Sequence, residues 1–94
     1  MNTELKRQAL KEGKIIKEKI EDYCFETIIL TTRTYEVPTY SFSYTTHEEV
    51  GQTGTKKIYN IEVMIDGEII AERWGTSKEE MNKQYLILKS HCEG

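Results

Sequence analysis

Proline and cysteine are scarce in this 94-residue chain, with one and two copies respectively. Cys24 and Cys92 lie too far apart to form a CxxC unit. No apolar signal-peptide core precedes them, so no export is expected and both read as reduced, buried or half-buried thiols of a cytoplasmic protein. Long apolar runs are missing as well. The longest clear one is Ile28-Ile29-Leu30, far short of the roughly 18 residues of a membrane span. Catalytic signatures are equally absent: no glycine-rich phosphate loop, no metal spacing, and no Ser or Cys nucleophile with a visible base partner. His91-Cys92 with His47 and Cys24 match no zinc-ligand spacing. The expectation is a protein without catalytic residues or cofactor. The six tyrosines are more simply core and sheet-face residues than a base-stacking platform.

What is present is charge, unevenly spread. The net charge is −3. Residues 1–20 hold six basic against three acidic side chains, and the remainder seven against thirteen. Any basic face able to meet phosphate must therefore include the N-terminal segment. There Leu5, Ala9, Ile16, Ile20 and Cys24 follow a 3.6-residue stripe, predicting a helix from about Thr3 to Asp22 capped by Asn2 or Thr3. Gly13 falls on the stripe and costs about 1 kcal/mol against Ala in a helix, which allows a bend or break. Arg7, Lys11 and Lys14 lie roughly opposite the stripe, as a solvated face or as a phosphate-facing one.

The most orderly stretch runs from Tyr59 to Leu88. Tyr59, Ile61, Val63 and Ile65 alternate with polar or less apolar neighbours, the period of a strand with one buried face. Asp66-Gly67 is a strong two-residue hairpin signal, and residues 68–74 return as the second strand until Gly75. Thr76 with Glu79 and Ser77 with Glu80 form two overlapping capping boxes. Met81, Tyr85, Leu88 and Cys92 then fall at helical spacing, predicting a helix with one face on the sheet.

From Tyr59 to Met81 this segment resembles, without a gap, the C-terminal two-thirds of the double-stranded-RNA-binding domain. That family has a strand of the type F-x-V-x-V-x-V, a D-G or N-G turn, a glycine-dotted strand and an S-K-K-x-A-K helix start. Pro38-Thr39-Tyr40 looks like the P-x-Y that opens the family's first strand. The resemblance implies an α-β-β-β-α domain with both helices on one face of an antiparallel sheet. It also implies recognition of duplex RNA through phosphate and 2′-hydroxyl contacts.

Several positions depart from the family. The loop expected over His47–Lys57 reads Gly51-Gln52-Thr53-Gly54-Thr55 and lacks the G-P-x-H element that enters the minor groove. At the last helix only Lys78 survives of three lysines, with Glu79 and Asn82 at the other two. Glu79 and Glu80 suit a helix N-terminus and repel phosphate. On the returning strand, Ile70, Glu72 and Trp74 share one side by alternation, and Ile69, Ala71 and Arg73 the other. Trp74 is then a packed sheet residue or a protein contact. Residues 25–37 are rich in β-branched and aromatic types and have two readings. One is a helix extension to about Leu30. The other, favoured, is an additional strand turning at Val37-Pro38-Thr39 into a second strand, Tyr40–Thr46.

The sequence thus predicts a single α+β domain over residues 1–94 with two candidate activities. One is binding of double-stranded RNA through Arg7, Lys11, Lys14, Lys56, Lys57, Lys78 and Asn82. The other keeps the fold as a protein-interaction module, a homodimer or an inhibitor of a nucleic-acid-processing partner, with Trp74 in the interface. Neither requires a membrane.

Overall fold

The computed structural model describes residues 3–25, 27–43 and 48–93. The elements run α1 (Thr3–Glu12), β1 (Lys14–Tyr23), β2 (Ile28–Ser43), β3 (Glu48–Ile65), β4 (Glu68–Gly75) and α2 (Lys78–Cys92). The four strands form one antiparallel sheet in the order β1-β2-β3-β4. The α+β layout with two helices agrees with expectation, as does the hairpin-plus-helix unit from Tyr59 onward. Asp66 (φ 51°) and Gly67 (φ 82°) supply the positive φ of its turn. Ser77 caps α2, its Oγ accepting the Glu80 N–H at 3.2 Å.

The two helices lie on opposite faces of the sheet, which corrects the one-face arrangement. Along β2 and β3 the apolar phase switches. Leu30, Ile61 and Val63 pack with Met81, Leu88 and Cys92 of α2. Tyr35, Val37 and Ile58 pack with Ala9 and Leu5 of α1. Leu30 and Tyr35 are five residues apart, and Ile58 and Ile61 three. Over such odd separations in an unbroken ladder, side chains point to opposite sides.

The first helix is also shorter than expected. It stops at Glu12 and residues 14–23 form β1, an edge strand whose side chains are mostly exposed. Gly13 N–H closes the last turn on the Ala9 carbonyl at 2.9 Å. A Cβ at Gly13 would stand 2.3 Å from that same oxygen, so no side chain fits the break. Beyond it, Lys14–Tyr23 satisfies its backbone on the edge of β2, an option outside the reach of local periodicity. Asn2, the other expected cap, falls outside the described residues.

Of residues 25–37, expected as a strand, 28–37 are strand while Phe25 and Thr27 lie in the turn after β1, and there is no turn at Val37-Pro38-Thr39. β2 runs through Pro38 to Ser43. β1 ends opposite Glu36, so Pro38 sits where β2 has become an edge and sacrifices no ladder bond on that side. Likewise residues 48–57 are the first half of β3 rather than a loop; Tyr44, Thr46 and His47 lie outside the described residues. One further correction concerns β4. A bulge sets Ala71 opposite Val63 and Ile69 opposite Met64, leaving Ile70 as the extra residue. Ile69 thereby joins the α1 face with Glu72 and Trp74.

These differences have a thermodynamic signature. Inside a continuous helix Gly13→Ala would stabilise by about 1 kcal/mol. Against the Ala9 carbonyl it destabilises instead, by more than about 1 kcal/mol. Urea denaturation of the variant checks the sign.

Candidate functional site

On its face of the sheet α2 covers β3, β4 and part of β2, meets β1 at Glu21 and Tyr23, and leaves the earlier part of β1 open. Between β1 and α2 runs a groove of about 230 Å³. Thr32, Thr34, Tyr59 and Ile61 form its floor. Lys17 and Lys19 rise on one side, opposite Thr34 and Thr32 in the ladder. Lys78, Met81, Asn82 and Tyr85 make the α2 wall. No carboxylate lines the groove. Among the described residues neither Lys17 nor Lys78 has an ion-pair partner.

The β1–α2 contact beside this groove is held by a tyrosine–carboxylate cluster. Glu21 accepts hydrogen bonds from the hydroxyls of Tyr85 and, at 2.9 Å, Tyr23. Lys19 stands 3.5 Å from its carboxylate, and Lys19 and Lys89 lie 5.6 and 5.8 Å from the Tyr85 ring centre. Partial burial opposes ionisation of Glu21, but both hydroxyls and the two lysines outweigh it and hold the carboxyl below its ordinary range. Burial, then the bonded carboxylate, pushes the hydroxyls of Tyr23 and Tyr85 up to about 12.

The opposite face is differently furnished. Arg33 donates to Glu18 and Glu62, each at 2.8 Å, and to Asn60 at 3.2 Å. Burial works against its charge and the two carboxylates more than restore it, so Nε and Nη1 of this guanidinium are committed to that face. Lys6 of α1 reaches Glu72 at 2.7 Å. That bond first, and the nearby Trp74 indole second, overcome partial burial to keep the Glu72 carboxyl low. Trp74 itself is half-buried against the cluster of Ala9, Tyr35, Val37 and Ile58, with ring centres of Trp74 and Tyr35 5.6 Å apart. Its N–H is buried and finds no acceptor at hydrogen-bonding geometry. The indole packs under α1 and remains partly exposed.

The expected RNA-binding residues do not share one surface. Lys78 and Asn82 meet in the groove. Arg7 and Lys11 are exposed on α1, across the sheet from them. Lys56 and Lys57 are successive residues of β3 and point to opposite faces, and Lys14 is the first residue of β1. Helical periodicity gives Lys17 and Lys19 no common face. Their two-residue spacing unites them on a strand and would separate them on the helix expected there.

Two surfaces lie away from the groove. Beyond Glu36 and Lys57 the β2–β3 pair continues alone to Ser43 and Glu48, and the molecule measures 57 × 24 × 21 Å. Among the described residues no strand flanks this ribbon. Tyr40, on it, is exposed. At the other end the two hairpin turns are joined by Asp66 N–H to Thr27 O at 3.0 Å. There Phe25 (φ 55°) is fully exposed, and Ile20, Ile69 and Ile70 are each at least half exposed. A bulky residue in the left-handed region carries strain, and no packing within the described chain accounts for it. Among the described residues no three His, Cys, Asp or Glu side chains gather to hold a metal ion, and no helix is long and apolar enough to cross a membrane.

Glu21 and Glu72 titrate below the ordinary 4.5, so their contribution to stability is present above that pH. It fades as pH falls through the lowered folded values. The two tyrosines act in the other sense: their contribution is intact below pH 10 and is lost as pH rises towards about 12. Glu21→Gln brings both phenols back towards 10, which absorbance titration of tyrosinate reads directly. Trp74→Ala lowers stability by about 2–4 kcal/mol and loosens α1, measured by urea denaturation and by amide exchange along residues 3–12. No protein-family model, curated protein or solved structure matches this chain.

Proposed function

We propose that this domain is a non-catalytic protein-binding module that presents its projecting β2–β3 ribbon to a partner chain. The ribbon is the observation that carries the reading. A lone pair of strands is marginally stable in water, and its outer edges offer N–H and C=O groups to an added strand. The exposed Tyr40 on the ribbon adds aromatic contact area of the type that anchors interfaces. The partner is a second copy of the chain or another protein.

Binding of duplex RNA is supported less well. The basic residues inferred from the family resemblance are divided between two faces, and a single duplex cannot meet both. The net charge of −3 also opposes a broad phosphate-facing surface.

A photo-crosslinking residue placed at Tyr40 is expected to trap protein, in adducts that survive ribonuclease, whereas one at Lys83 on the exposed side of α2 does not. Light scattering assigns a second copy if the mass doubles. The reading is overturned if Tyr40 traps no protein and the chain instead binds an RNA duplex of about 20 base pairs with an affinity that rises as salt falls and drops in Lys56→Ala or Lys78→Ala.

A further inference from the structure

We propose that the groove between β1 and α2 is a binding site for a nucleotide phosphate, with Lys17, Lys19 and Lys78 around the phosphate and Tyr59, Tyr85 and Asn82 against the nucleoside. This goes beyond protein capture by the ribbon and uses a different part of the molecule.

The first ground is charge. The chain is acidic, with a net charge of −3 and an isoelectric point near 5.4. Yet three lysines line one concavity whose lining holds no carboxylate: Lys19 is balanced by Glu21 at 3.5 Å beside the groove, while Lys17 and Lys78 have no ion-pair partner among the described residues. Concave walls of one sign concentrate the field and with it the opposite ion. Lysines on an edge strand also discourage strand addition, but that role is met from either face of β1. Here both lysines stand on the face of α2, across the groove from a third. Arg33, the strongest phosphate-binding type nearby, is withdrawn to the other face by Glu18 and Glu62, so an anion in the groove relies on lysines.

The second ground is the rest of the lining. Tyr59, Met81 and Tyr85 offer flat and apolar surface, and bases stack well on such rings. The Asn82 amide and the Thr32 and Thr34 hydroxyls supply donors and acceptors for sugar or base edges. An inorganic anion would use none of these. Lys78 opens α2, where the positive end of the helix is offset by Glu79 and Glu80 of the same turn, so the attraction there rests on the Lys78 ammonium itself. The volume of about 230 Å³ lies below the small end of ligand pockets, about 300 Å³, so the groove takes at most one nucleotide unit, part of which stays outside it.

That unit has two sources, a free mononucleotide or one residue of a single strand. Amide NMR on the full chain separates them, with inorganic phosphate, adenosine 5′-monophosphate, uridine 5′-monophosphate and an oligouridylate of about ten nucleotides as probes. The expected result is shifts along residues 17–19, 32–34 and 78–82, with nucleotide binding at least about tenfold tighter than phosphate and weakened by salt. Saturation by a mononucleotide assigns the free ligand, and saturation by the oligomer alone assigns the single strand. Lys17→Ala with Lys78→Ala, both at exposed positions, weakens binding at least about tenfold while the spectrum stays native. Absence of groove shifts with every probe, equal affinity for phosphate and nucleotide, or unchanged binding in the double variant overturns the proposal. A ribbon that still crosslinks in that variant shows the two activities to be separate.

Discussion

The phase switch along the central β2–β3 pair governs the rest of this molecule. Between Leu30 and Tyr35 on one strand, and between Ile58 and Ile61 on the other, apolar side chains change sides without a break in the ladder. A strand cannot rotate its side chains independently of its backbone, so each half of the pair must bury a different face. Two small cores result, one under each helix. Leu30 and Ile61 are fully or nearly fully buried in one, Val37 and Ile58 in the other. Each such side chain contributes about 1.5–3 kcal/mol through burial, so neither helix could change sides without stranding its own core.

The exposed surfaces follow from that division. With α2 alone on its face, the β1 side of that face stays open, and the groove with Lys17, Lys19 and Lys78 is the space left over. With α1 alone on the other, the turn end carrying Ile20 and Ile69 remains uncovered. The ribbon projects because β1 stops opposite Glu36 and β4 stops opposite Tyr59, while β2 and β3 continue. Two helices side by side would have covered one face and made a continuous basic surface conceivable. Their separation divides the cations, and it is the reason a protein partner for the ribbon and a small anionic ligand for the groove are the better-supported readings.

Glu21 links these parts. Its carboxylate ties β1 to α2 through Tyr85 and to its own strand through Tyr23, beside Lys19 at the groove wall. β1 buries little of its own surface, so its placement depends on the backbone ladder to β2 and on this cluster. The groove therefore has one wall set by core packing and one set largely by hydrogen bonds. Of the two, the second opens more readily.

The sequence by itself determined the hairpin from Tyr59 to Gly75 and the capped helix after it. Their signals are local: alternation, Asp66-Gly67, Ser77 with Glu80, and Met81, Leu88 and Cys92 on one stripe. Only the tertiary structure decided that residues 14–23 are a strand. Ile16, Ile20 and Cys24 fit a helical period, and the competing ladder bonds come from β2, beyond the reach of any local window. The face chosen by α1 was decided in the same way. Tyr35 and Val37 reveal their side only once Pro38 is known to lie inside a strand and not in a turn. The groove was hidden for the same reason, since Lys17 and Lys19 become neighbours only on a pleated backbone.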